Sequence, residues 1–279
     1  MPTNVLRLVS VAVLGAVLVG CGTGTDARLT ANPSPRTTAQ QPAGPEHPAV
    51  TPVFLRGADP GRRTRAGTAS KTVALTFDAD MTADQGPRAA QGERFDNPTL
   101  ITSLRRLEVP STIFMTGRWA EEYPFQAREI GSDPLFEVAN HSYSHHSFTA
   151  DCHGLPVLGK RDMAADVERA FDAFRKAGVR QVVPYFRFPG GCYDQSTLRA
   201  LAPAGLTAVQ WDVVSGDAFA TDADAVAEQV LAEVRPGSLV VMHCTTSAAP
   251  VTDEAVRRIV PELRERGYRF VKVSELMKD

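Results

Sequence analysis

Val73-Ala74-Leu75-Thr76-Phe77 is an apolar, β-branched run that turns abruptly into Asp78-Ala79-Asp80. Five residues with only a threonine to relieve them describe a strand covered on both faces, as in a parallel sheet, rather than one with a solvent side. Runs of the same kind return at Ser111–Met115, Phe136–Ala139, Tyr185–Phe188, Thr207–Val213, Ser238–Met242 and Tyr268–Val273. Between them the apolar period becomes helical. Leu100, Leu104 and Leu107 align within 97–109, and 118–131 is helical with an interruption at Pro124. Met163, Val167, Ala170, Phe171 and Phe174 share one face of 160–177, with Gly178 as C-cap. Val226, Val230 and Val234 align in 223–235, and Val256, Ile259, Val260 and Leu263 in 252–266, stopped by Gly267. This alternation predicts an α/β fold over residues 71–279, a distorted (β/α) barrel of about seven parallel strands, with an open doubly wound sheet as the alternative. No glycine-rich phosphate loop follows the first strand, which argues against a nucleotide enzyme.

The first seventy residues are of another kind. Residues 8–20 (LVSVAVLGAVLVG) are apolar apart from one serine and follow the cation Arg7. Thirteen helical residues span roughly 20 Å, short of a bilayer core of about 30 Å, so 1–20 reads as a secretory signal peptide rather than a membrane span. The string Leu18-Val19-Gly20-Cys21 resembles a bacterial lipoprotein signal, which implies lipidation at Cys21. Residues 21–70 then form a tether, Pro-rich and poor in aromatics, expected to stay disordered because it has too little apolar surface to offset its ordering entropy. Arg62, Arg63 and Arg65 read as a solvated charge run, and Val53-Phe54-Leu55 as the part able to dock onto the domain.

Over all 279 residues, 43% are hydrophobic and 22% charged, which excludes a wholly disordered chain and a multi-span membrane protein. The net charge of -2 lacks the basic excess of a nucleic-acid binder, so no nucleic-acid partner is expected.

Polar residues gather where the strands end. In parallel α/β folds the C-terminal strand ends form the active face. The strand ends here carry Asp78 and Asp80; the segment from Asn140 through His141, Ser142 and His145; Arg187-Phe188-Pro189-Gly190; Trp211 and, further on, Asp217; and Val241-Met242-His243. Taken singly, each has a bland reading: turns use aspartate freely, and most histidine pairs are solvated. Taken together they have a chemistry. On a helical turn His141 and His145 would face the same way and could hold one metal with Asp80 as a third, oxygen ligand. Residues two apart on a strand lean to one side, so Asp78 could accept a proton from water activated at that metal. Arg187 could hold Asp78, and His243, oriented by Asp217, could be the acid for a leaving group. His146 is out of phase with the pair, and His47 and His153 have no argued role.

The ordered set, spanning 71–279, resembles the polysaccharide deacetylases of the NodB-homology type, carbohydrate esterase family four. The resemblance implies Asp78 as base, Asp80, His141 and His145 as metal ligands, and Arg187 as the residue that holds the base. It implies the Gly190 N–H as oxyanion donor, where many members have tyrosine at this position, Trp211 as a groove wall and Asp217 as partner of the acid His243. Val241, where leucine is usual, would line the pocket for the acetyl methyl. Two departures stand out: Ala79 separates aspartates that are commonly adjacent, and Ala218-Phe219 stands where a tryptophan often follows the aspartate. The implied activity is metal-dependent removal of acetyl groups from an N-acetylated glycan such as peptidoglycan or a chitin-like oligosaccharide. An O-acetyl esterase and a glycan-binding lipoprotein without turnover are the alternatives. Zinc suits two nitrogens and an oxygen, with cobalt or nickel able to fill the same site. The chain is expected to be a monomer, extracytoplasmic and anchored to the cell membrane by lipid. In that compartment two of Cys152, Cys192 and Cys244 are expected to bridge. The consecutive strands favour Cys152–Cys192, and a free thiol as an extra metal ligand is the alternative.

Overall fold

The computed structural model describes residues 48–58 and 71–278; the expected signal peptide, Cys21 and most of the expected tether lie outside them. The strand that opens the domain, β2 (Lys71–Ala79), is also its centre. Along one edge it pairs with β8 (Ser238–His243) over Val73–Asp78. Along the other it takes β9 (Tyr268–Phe270) at its start and β3 (Ser111–Met115) over Leu75–Ala79. From β3 the sheet continues through β4 (Phe136–Asn140), β5 (Val182–Phe186) and β6 (Thr207–Val209) to β1 (Val53–Phe54); from β8 it continues to β7 (Val213–Val214). Every pairing is parallel. The result is a curled sheet of nine strands among the described residues, with β1 and β7 at its ends, covered by helices. The expected distorted barrel is thus present, as an open half-barrel.

The strand parity decides what goes where. Val73, Leu75 and Phe77 point outward and join Leu100, Leu104, Val256, Ile259 and Leu263 from α2 (Pro98–Arg106) and α8 (Thr252–Glu265) in the main core. Ala74 points inward, meeting Phe114, Ala139, Val209, Leu239 and the plugging residues Val273 and Leu276 of α9 (Val273–Leu276). The inward column of β2 continues from Ala74 through Thr76 to Asp78, so the sheet's pleat delivers a carboxylate to the inside of its C-terminal end.

Several boundaries differ from the sequence reading, for physical reasons. Thr207–Val213 is two strands, because Asp212 breaks the run. Its carboxylate accepts hydrogen bonds from the Leu239 N–H (2.7 Å) and Ser238 Oγ (3.1 Å), pulling the chain across to β8. Pro124 does not interrupt one helix but begins another, α4 (Pro124–Ser132), after α3 (Gly117–Glu122), the position where its missing N–H costs nothing. Residues 48–58, assigned to the tether by composition, belong to the folded body: β1 pairs with β6, Gly57 N–H bonds to Gly237 O (2.8 Å) and Arg56 Nη2 to Pro236 O (2.8 Å). No helix among the described residues is long and apolar enough to cross a membrane.

Cys152 and Cys192 form the favoured disulfide and tie the segment after β4 to the turn after β5; Cys244 is free and buried. The bridge spans 40 residues, so its removal frees the unfolded chain by about 4 kcal/mol in the loop-entropy model. Denaturant unfolding of Cys152→Ser, Cys192→Ser and the double variant should show losses of about that size in each, with no further loss in the double variant.

Candidate active site

Arg187 follows β5 and is wholly buried beneath the cleft. A buried guanidinium is tolerable only when its donors are used. Nη1 donates to Asp78 Oδ1 (2.6 Å), Nη2 to Thr76 Oγ1 (2.9 Å), and Nε to Val209 O (3.2 Å), while the Phe114 ring lies 3.8 Å from the guanidinium carbon. Burial alone would raise the Asp78 pKa, but Arg187, with His141 and His243 adding to it, holds it below the usual carboxylate range. Asp78 is therefore an ionised carboxylate at neutral pH, with its second oxygen 3.7 Å from His141 Nε2.

His141 is buried too, and burial pulls its pKa down to about 4 against the opposing effect of Asp78, so the ring is neutral. Its Nδ1 lies 2.9 Å from Arg187 O. A carbonyl only accepts, so Nδ1 carries the proton and Nε2 presents a lone pair to the cleft, the tautomer a metal ligand needs. The His145 ring is 5.0 Å away, with Nε2 3.8 Å from Asp80 Oδ2. The two histidines meet, but not on the helical turn that their spacing suggests. The segment is a loop in which Ser142 (φ 69°) and His145 (φ 56°) adopt left-handed backbone, and Ser142 Oγ accepts from the His145 N–H (3.0 Å). Two nitrogens and one carboxylate oxygen are donor types that suit a divalent ion such as zinc, although these three ligand atoms do not all lie within 4.8 Å of one another.

On β8, beside β2, Asp217 orients His243. Nδ1 lies 2.8 Å from Asp217 Oδ1, and the His243 backbone N–H donates to Oδ2 (2.7 Å). Ser215 Oγ (2.8 Å) and Thr252 Oγ1 (2.7 Å) supply the remaining donors to this buried carboxylate. Burial would lower the His243 pKa, but Asp217 outweighs it and raises it to about 10. The ring is charged at neutral pH, with Nε2 left to donate.

The turn after Arg187 completes the cleft. Gly190 (φ 66°) and Gly191 (φ 74°) both have left-handed backbone, and a Cβ on Gly190 would fall 2.6 Å from Cys152 Sγ, one on Gly191 2.5 Å from the Trp211 ring. Glycine is required there by backbone and by space alike. Val241 and His243 share the inward parity of β8, and Trp211 is half-buried with its ring 5.4 Å from the Arg187 guanidinium. All ten residues singled out in the cleft therefore lie at the C-terminal strand ends or just beyond. Thr76, Ser215, Thr245 and Thr252 were not singled out; Thr245 Oγ1 donates to Asp80 Oδ1 (2.9 Å), and no spacing in the sequence marks these hydroxyls. The sulfurs of Cys152 and Cys192 lie close to a nitrogen of His153, but joined as a disulfide they offer no thiolate to a metal. Burial pushes the Cys244 thiol up to about 12, and its side chain packs in the main core.

A family model described as polysaccharide deacetylase matches residues 65–209. The chain belongs to the polysaccharide deacetylase family. A chitooligosaccharide deacetylase of Sinorhizobium fredii is 32% identical over 73% of this chain and 91% of its own length. A peptidoglycan-N-acetylglucosamine deacetylase of Bacillus cereus is 25% identical, over 75% of this chain and 89% of that protein. Among solved structures, a family 4 carbohydrate esterase from Streptomyces lividans in complex with acetate is 28% identical, with a TM-score of 0.58 over 72% of this chain and 91% of that one. Trp211, Asp217, Val241 and His243 lie beyond the matched stretch; Val241 and His243 are placed by the pairing of β8 with β2, and Asp217 by its hydrogen bonds to His243.

Two outcomes follow from the buried charges. Arg187→Met leaves Asp78 buried without its cation and should cost about 3–5 kcal/mol at neutral pH, much of it recovered in Arg187→Met/Asp78→Asn, as read by urea unfolding. The raised pKa of His243 means that its pairing contributes fully below about pH 6.5 and is lost as pH rises through about 10. The stability gap between wild type and Asp217→Asn should therefore shrink across that interval.

Proposed function

We propose that this chain is a metal-dependent hydrolase that removes acetyl groups from an N-acetylated glycan, releasing acetate. The observation that carries the reading is the meeting, at adjacent strand ends, of an ionised Asp78 held by Arg187 and a protonated His243 held by Asp217, beside His141, His145 and Asp80. Asp80, His141 and His145 would hold the ion, zinc by preference and cobalt or nickel as substitutes. It would supply Lewis acidity toward the acetyl carbonyl and toward water.

The remaining steps belong to the chain. Asp78 takes a proton from the attacking water, and Arg187 keeps it ionised and aimed until then. The N–H of Gly190 faces the charge that develops on the carbonyl oxygen, a role in which a preorganised backbone donor is most effective. His243 Nε2 gives its proton to the nitrogen as the C–N bond breaks, and Asp217 keeps Nδ1 protonated throughout. A C–O bond forms, a C–N bond breaks, and the products are acetate and a free sugar amine. Trp211 forms a wall of the groove, and Val241 lines the pocket for the acetyl methyl.

The named activities of the relatives support N-acetylglucosamine polymers as the substrate class, with peptidoglycan or a chitin-like oligosaccharide as its members. We place the protein outside the cytoplasm, anchored at Cys21 through lipid and acting as a monomer; loss of radiolabelled fatty acid in Cys21→Ala tests the anchor.

Acetate release from chitooligosaccharides and from peptidoglycan is the direct assay. Asp78→Asn and His243→Ala should each fall by about a hundredfold or more. Chelation should abolish release, and metal content should drop in His141→Ala and Asp80→Ala. Activity that survives chelation, with unchanged metal in both variants, overturns the site as drawn.

A further inference from the structure

The loop that carries His141 and His145 leaves the sheet after Asn140, and Ser142, Tyr143 and Ser144 within it are buried. Past the end of the ladder its backbone N–H groups need other acceptors, because a buried N–H left unpaired is costly. Side chains supply them. Asn140 Oδ1 accepts from the Ser142 N–H (2.8 Å), Ser142 Oγ from the His145 N–H (3.0 Å) and Ser144 Oγ from the His146 N–H (3.3 Å). The two N–H groups in the middle, those of Tyr143 (2.8 Å) and Ser144 (3.3 Å), both donate to one oxygen, Oδ2 of Asp166.

Asp166 is remote in sequence, in the first turn of α5 (Met163–Ala177), and buried. The helix dipole favours an acid in a first turn. That alone does not account for two loop N–H groups converging on this one. The loop's carbonyls are held as well: the Gly117 and Arg118 N–H groups, at the start of α3, donate to Ser142 O (3.0 Å) and Tyr143 O (3.1 Å). The residues that separate the two histidines are thus fixed between two helix starts. Ser142 and Ser144 move with the loop as acceptors, whereas Asp166 sits on another element and refers the middle of the loop to the body of the domain.

We propose that Asp166 is a positioning residue for the metal: by holding the Tyr143 and Ser144 N–H groups it sets the separation and aim of the His141 and His145 rings, and so the affinity of the site for a divalent ion. The proposal rests on the metal-dependent reading and deepens it, assigning part of the ion's affinity to a residue that does not touch it.

The test uses the full chain stripped of metal. Zinc is titrated against a chromophoric chelator, with His141→Ala to identify the site, beside thermal unfolding of the metal-free protein and acetate release from chitooligosaccharides. Asp166→Ala should weaken zinc binding by about ten- to a hundredfold, the scale on which outer partners of metal ligands act. Asp166→Glu keeps the charge but displaces the oxygen by a methylene, so it should lose affinity too, and it decides the matter if Asp166→Ala does not fold. Asp166→Asn keeps an oxygen in place and should restore most of the affinity. A purely structural role predicts a lower Tm with zinc affinity unchanged in Asp166→Ala and Asp166→Glu; that result overturns the proposal, and leaves the deacetylase reading intact where wild-type acetate release is lost on chelation. Asp166→Asn as weak as Asp166→Ala assigns the effect to charge and overturns the positioning role. Wild type that binds zinc through His141, less tightly in Asp166→Ala, yet releases no acetate upholds the proposal and overturns the deacetylase reading. Wild type without a zinc site that depends on His141 overturns both.

Discussion

The ion pair between Arg187 and Asp78 stands where the fold and the chemistry meet. A guanidinium at 0% exposure is costly unless each donor is met, and here the partners come from β2, from the end of β6 and from the Phe114 ring on β3. The same Arg187 turns its backbone carbonyl to His141 Nδ1 and so selects the tautomer of that ring. One residue therefore fixes the charge of the base and the lone pair of a candidate ligand.

The cleft is organised as two oppositely charged halves. On the β2 and β4 side, Arg187 holds Asp78 as a carboxylate against its burial, and burial keeps His141 a neutral imidazole. On the β7 and β8 side, Asp217 produces an imidazolium. Two histidines at neighbouring strand ends thus hold opposite protonation states, because desolvation prevails at His141 and the Asp217 carboxylate outweighs it at His243. Acid and base functions need this separation, and here it comes from the partners that the sheet sets beside each ring.

Much of this could be read from residue order. The β2 run, the parity that points Asp78 inward and the apolar β3, β4 and β8 are encoded in short patterns, and the sheet pairs them in parallel as their composition demands. What escaped the sequence depends on contacts between distant segments. The end of β6 is set by Asp212 reaching Ser238 and Leu239, 26 and 27 residues away. The histidine loop is set by left-handed Ser142 and His145, residue types that give no warning of it. Thr245 and Thr252 look like any threonine until their hydroxyls are seen on Asp80 and Asp217. The two-residue β1 is too short to show a period and sits in a proline-rich stretch, so only its pairing with β6 reveals it.

That small strand has a geometric consequence. Because β1 runs parallel to its neighbour, the backbone before Val53 enters from the N-terminal side of the sheet, the side opposite the cleft. Force applied to the chain before Val53 would therefore load an edge strand rather than the catalytic rim.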